Sequence, residues 1–197
     1  MNTKDGLIHF IECTGEEIRA FIDGLSDEAR AEKGTLERWS AKDVVAHLAN
    51  WMSNRSEQLA AIPRGEIHPG FGPVNITNAA SFERHRLEPW PSVLAFLEGA
   101  RNQFISQVRS VPEAALFEER HSWIPNLPLW RAIARTSLIH PCLHLSTYFR
   151  QHSQPEAATK VLEFATDTGE TLQGPPDWQA TGPYNLACNY ALIGDRE

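Results

Sequence analysis

Four long stretches of the chain repeat apolar residues at three- and four-residue spacings, and none alternates in the two-residue rhythm of a strand. In the first, residues 3–25, Leu7, Ile11, Ile18, Phe21, Ile22 and Leu25 line one helical face, and Gly24 with the Ser26-Asp27 pair marks the end. The second covers 41–62. Ser40 stands at its N-cap, Asp43 completes a capping-box-like signature, and Pro63 and Gly65 stop it. The third covers 90–111, with Pro91 in its first turn and Val93, Phe96, Leu97, Phe104 and Val108 facing inward. The fourth opens near Leu127 and Pro128 and continues to about His152.

The connections decide how these helices assemble. Residues 64–88 are rich in Pro, Gly and Asn and too long for a tight turn, so they cross over the bundle, with a short helix at 78–84 inside the crossing. The pattern predicts an all-α fold: a four-helix bundle in up-down-down-up order, with the long crossover between helices two and three. The fourth helix is apolar almost all round from Leu138 to Leu145, which places it centrally or in a dimer interface. Pro141 withdraws a hydrogen bond from the carbonyl of Ser137 and crowds it, so a kink is expected beside His140, with the helix continuing through Tyr148 and Phe149. The bundle is expected to span 1–155. Residues 156–197 form a C-terminal helical extension, in which an acidic, Gly/Pro-containing linker at 167–183 leads to a helix docked on the bundle or on a partner subunit.

Composition narrows the function classes. A length of 197 residues suits one domain with a real core. A net charge of −7 and the lack of a Lys/Arg-rich run argue against nucleic acid and anionic membranes as partners. No segment approaches the ~20 apolar residues of a membrane span, and the residues after Met1 carry no apolar signal segment, so a cytoplasmic protein is expected. Cys13, Cys142 and Cys188 are too few for a disulfide framework, which suits a reducing compartment.

Three histidines carry the candidate chemistry. His140 and His144 are four residues apart and share one helical face. His47 lies on helix two beside the inward stripe of Val44, Leu48 and Trp51. With helices two and four antiparallel, His47 lies roughly 10 Å and the pair roughly 12–18 Å from the same end of the bundle, so the depths agree within a turn. Three imidazoles leave a tetrahedral divalent ion one open position, as in catalytic rather than structural zinc. Zinc or nickel is expected, with iron also suited to such donors. Trp51 and Arg55 follow His47 on nearly the same face. Trp51 either walls a pocket or packs in the core, and Arg55 either holds an anionic substrate group or is a solvated surface charge. Ser137 and Tyr148 share the face of the histidine pair, either orienting ligands and substrate or bonding between helices. Trp123 lines the mouth or anchors its loop. His9, His68, His85, His121 and His152 lack paired spacing and read as surface residues, and Cys142 points away from His140 as a small core residue. Pro141 stands where a zincin protease needs glutamate, and nucleophile elbows and phosphate-cradling glycine loops are missing.

The stretch Trp39-Ser40-Ala41-Lys42-Asp43-Val44-Val45-Ala46-His47-Leu48-Ala49-Asn50-Trp51 resembles the second-helix signature of the DinB/YfiT-like superfamily, and His140-Pro141-Cys142-Leu143-His144 is similar to its fourth-helix pair. The first stretch looks closest to the ClbS/DfsB-type branch. This resemblance, covering roughly residues 1–155, implies a four-helix bundle holding a divalent metal with His47, His140 and His144. Members include thiol-dependent transferases using bacillithiol or mycothiol, and one branch that hydrolyses a reactive cyclopropane. Residues 184–195 resemble the first helix of a tetratricopeptide repeat, but no second unit follows. The functional expectation is a metal-dependent hydrolase or thiol S-transferase that turns water, or a low-molecular-weight thiol, against a small electrophile, as in detoxification, with a homodimer as the expected assembly. The alternative is a noncatalytic bundle that binds or sequesters a small molecule or metal.

Overall fold

The computed structural model describes residues 3–119 and 121–194, which form helices and turns with no strand among them. Helix α1 (Thr3–Asp23) buries Leu7, Ile11, Ile18, Phe21 and Ile22 of the predicted stripe and Phe10 besides, while Leu25 lies past its end and is half-buried. A short α2 (Asp27–Ala31) follows. Helix α3 (Ala41–Ala61) starts at a complete capping box: the Asp43 N–H donates to Ser40 Oγ at 3.3 Å, and the Asp43 carboxylate accepts from the Ser40 N–H at 2.9 Å and its O–H at 2.6 Å. Gly34 passes so close to this box that a Cβ there would strike the Asp43 carboxylate and the Ser40 nitrogen. In the crossover, α4 (Val74–His85) is longer at both ends than predicted, and α5 (Trp90–Ser110) follows.

Contacts along these helices set their directions. Lys4 reaches the Arg109 carbonyl and Arg19 reaches Glu98, so α1 and α5 are antiparallel. Lys42, in the first turn of α3, donates to the carbonyls of Arg86 (3.0 Å) and Glu88 (2.7 Å) just before α5 begins. The packed pair α3 and α5 thus start side by side and run parallel, as the long crossover requires.

The fourth bundle helix is continuous but irregular. Helix α6 (Leu129–Ala134) passes into a π turn (Arg135–Ile139) and then into α7 (His140–Gln151). The His140 N–H reaches back five residues to the Arg135 carbonyl, and the widened turn makes room for Pro141, which would otherwise crowd the preceding turn. The expected disturbance is therefore a π turn on the N-terminal side of His140.

The C-terminal region differs from its expected form. The segment read as a linker from Asp167 is helical at its start, because α8 (Pro155–Glu170) extends to Glu170, and α9 (Pro176–Gln179) interrupts the remainder. Helix α8 buries Ala158, Val161, Leu162, Ala165 and Thr168 and packs along α7, adding to the cover over its apolar stretch. Trp178 stacks on Phe10 of α1 at 6.2 Å. Helix α10 (Thr181–Gly194) docks through Asn189, which accepts from Arg150 at 2.8 Å and donates to Thr159 at 2.9 Å, and through Gly182, which lies against Thr166 where a Cβ would not fit. Asp195, the last residue of the repeat-like stretch, lies outside the described residues. No described helix is long and apolar enough to cross a membrane.

Candidate metal centre

The Trp39–Trp51 stretch divides its labour within a few turns. Ser40 and Asp43 fix the first turn of α3, and Lys42 ties that turn to the α4–α5 corner. Trp39 lies 4.5 Å from the His47 ring and stacks on His144 at 5.4 Å with 10° between planes. With α3 so anchored, His47 projects at α7. Its Nε2 is 3.0 Å from His140 Nε2, and His144 Nε2 is 3.1 Å from the same atom. Each of the three residues offers one nitrogen within 4.8 Å of the others.

These separations fit one cation. Nitrogens at about 2.0–2.1 Å from a tetrahedral zinc lie about 3.3 Å apart, so the observed spacing needs only a few tenths of an ångström of opening. The protonation state fits as well. His47 is held down to about 2 by burial and by its two neighbouring histidines, and His144 to about 4 by burial. His140 is pushed well below its ordinary value by burial, His144, Arg135 and Arg55. At neutral pH all three rings are neutral, with lone pairs available for a metal. Using Nε2 at the centre leaves His47 Nδ1 buried and without a protein partner among the described residues.

Trp51 stands edge-on to His140 at 6.0 Å and donates its indole N–H to Asn78 of α4 at 3.1 Å, so it walls the site. Arg55 is a correction to its surface reading. It is 9% exposed, its Nε donates to Thr136 at 3.2 Å, its Nη1 donates to Gln58 at 2.5 Å, and its guanidinium lies 4.6 Å over Trp123. No described carboxylate pairs with it, and burial, with the charge of Arg135, draws it down to about 9. Trp123 reaches Arg55 through this contact and is not brought against the three histidines.

Ser137 and Tyr148 are not brought into the cluster. Ser137 donates its hydroxyl to the Ile133 carbonyl at 2.8 Å, and the π turn breaks the regular spacing that would have aligned it with His140. Tyr148 packs edge-on against Phe21 of α1 at 5.0 Å and stacks on His152 at 3.9 Å. Cys142 is fully buried as expected. Among the histidines read as surface residues, His85 and His121 are buried instead. His85 and Trp39 went unrecognised as neighbours of the centre. The signal for Trp39 was its place in the helix-two stretch, and the signal for His85 was Glu88 three residues on.

Over residues 11–144 the chain matches the family described as Mycothiol maleylpyruvate isomerase N-terminal domain. The chain belongs to this family. The mycothiol maleylpyruvate isomerase N-terminal domain is a metal-binding helical family of the DinB-like superfamily, in agreement with the three-histidine cluster between α3 and α7. No curated protein and no solved structure matches the chain. The family match includes all three histidines.

Proposed function

We propose that His47, His140 and His144 hold a divalent ion, zinc or nickel, whose remaining position takes a low-molecular-weight thiol or water for attack on a small electrophilic substrate. The observation that carries this reading is the convergence of three neutral imidazole nitrogens with no carboxylate among them. When bound, such an ion lowers the pKa of a coordinated water toward ~7, or favours a thiol as its thiolate. The family name supports a thiol of the mycothiol kind as co-substrate, and the residue 39–51 stretch supports placement near the ClbS/DfsB-type branch.

The chain's own residues supply the rest. Trp39 and Trp51 flank the rings and keep bulk water from them. Arg55 has N–H groups left over after Thr136 and Gln58, and in a partly dry setting these favour a substrate bearing a carboxylate or similar anion. Arg55 and Arg135 also raise the local positive potential, which favours an anionic nucleophile beside His140.

The test is a thiol-consumption assay with a panel of small electrophiles on metal-loaded protein. The expected result is one bound metal per chain and turnover with at least one electrophile, both lost in His144→Ala. Stoichiometric metal with no thiol consumed and no hydrolysis would favour a binding protein instead.

A further inference from the structure

A second buried histidine faces the same pocket as His47. His85, at the end of α4, is 6% exposed, stacks on Phe96 at 5.0 Å, and donates from Nδ1 to the Glu88 carboxylate at 2.9 Å. In the neutral ring that bond fixes the tautomer, leaving a lone pair on Nε2. Nε2 is buried and has no protein partner among the described residues, as is true of His47 Nδ1. Both residues line one pocket of about 10 Å³, together with Asp43, Ser81, Trp39 and Phe82. A space of that size holds about one water, and a buried water needs two to four polar partners.

The hydrogen-bond roles are complementary. With His47 Nε2 turned to the metal centre, Nδ1 carries the proton and is a donor, whereas His85 Nε2 is an acceptor. They cannot both be satisfied by a second donor or a second acceptor, but a water accepts from the first and donates to the second. Its other hydrogen is then free for Asp43 or Ser81.

We propose that His85, held by Glu88, is a positioning residue for the metal centre, acting on His47 through one ordered water in the α3–α4 pocket. The inference rests on the reading of His47 as a ligand. Metal-binding histidines are oriented by whatever accepts their second ring N–H, and losing such a partner typically weakens metal binding about 10- to 100-fold. Lys42 shares in the device, because it grips the Glu88 carbonyl and so fixes the corner that carries the carboxylate. The chain therefore runs from Glu88 to His85, to the water, to His47.

The experiment is a zinc titration of the full chain against a competing chelator, with a high-resolution crystal structure of the zinc-free protein beside it. His85→Ala is expected to weaken zinc binding about 10- to 100-fold. His85→Gln, whose amide oxygen again accepts from the water, is expected to recover most of the loss. Phe96→Leu removes the stacking under His85 but leaves the relay, and should bind zinc as the wild type does. Equal affinity in His85→Ala, or an equal loss in Phe96→Leu without rescue by Gln, overturns the proposal. The crystal structure decides it separately: a water bonded to both His47 Nδ1 and His85 Nε2 supports it, and a dry pocket overturns it. Failure of the wild type to bind zinc strikes at the metal reading, whereas the water is still found or not found.

Discussion

Arg55 keeps a positive charge at 9% exposure, and its partners among the described residues are a hydroxyl, an amide oxygen and an indole face. A buried charge with no paired carboxylate among the described residues is costly to the fold, a cost that fits the anion-binding role proposed above. Arg55→Met should therefore raise the unfolding free energy in urea by about 1–3 kcal/mol. The same change should raise KM for an anionic substrate roughly 10- to 100-fold, the worth of losing hydrogen bonds to a charged group. A variant that is destabilised and unaltered in KM would assign Arg55 to the scaffold. The three ligand candidates were legible in the sequence because a four-residue spacing and one inward helix face are local properties. The burial of Arg55 and His85 was not, since it depends on which side chains arrive from the Trp123 loop and from α5.

The element that aims His47 is the first turn of α3. Removing the Ser40 hydroxyl leaves the Asp43 N–H without its cap and the carboxylate with one donor fewer, so Ser40→Ala should cost about 1 kcal/mol in thermal or urea unfolding. If this turn positions the ligand, metal affinity should fall along with stability. Unchanged affinity would mean that packing against α5 holds His47 by itself. This turn was readable because Ser40 and Asp43 are both written locally. The π turn was half readable: Pro141 announced a disturbance, but its form depended on how the chain absorbs an extra residue before His140. Helix α8 went unrecognised although Ala158, Val161, Leu162 and Ala165 recur at helical spacing, because Asp167, Gly169 and Glu170 at its end read as the start of a linker.

At the scale of the whole molecule, the histidine cluster couples stability to pH. Without metal, His47 and His144 have folded pKa values of about 2 and about 4, and His140 also lies well below its ordinary value, whereas all three titrate near 6.5 in the unfolded chain. Below pH 6.5 the unfolded state takes up protons that the folded state refuses. Stability should thus fall on acidification, by up to about 1.4 kcal/mol per pH unit for each histidine until its own folded pKa is reached. The check is the midpoint of urea unfolding of chelator-treated protein at pH 7 and pH 5, with a flat profile speaking against neutral buried rings. Metal should leave this slope unchanged between pH 7 and pH 5, where the folded nitrogens already lack protons, and extend it below about pH 4, where protons begin to compete with the ion for the same nitrogens. The bundle order followed from the length of the crossover, and the burial of Leu138, Ile139, Cys142 and Leu145 in the core fits the central place expected for the apolar stretch of the fourth helix.

The central claim is that three imidazoles share one ion. X-ray absorption at the metal edge of zinc-loaded protein measures it most directly. The account predicts three histidine nitrogens at about 2.0–2.1 Å with one further light atom, and loss of one imidazole in His47→Ala. A coordination sphere with fewer than three imidazoles, or one that His47→Ala leaves unchanged, would contradict it.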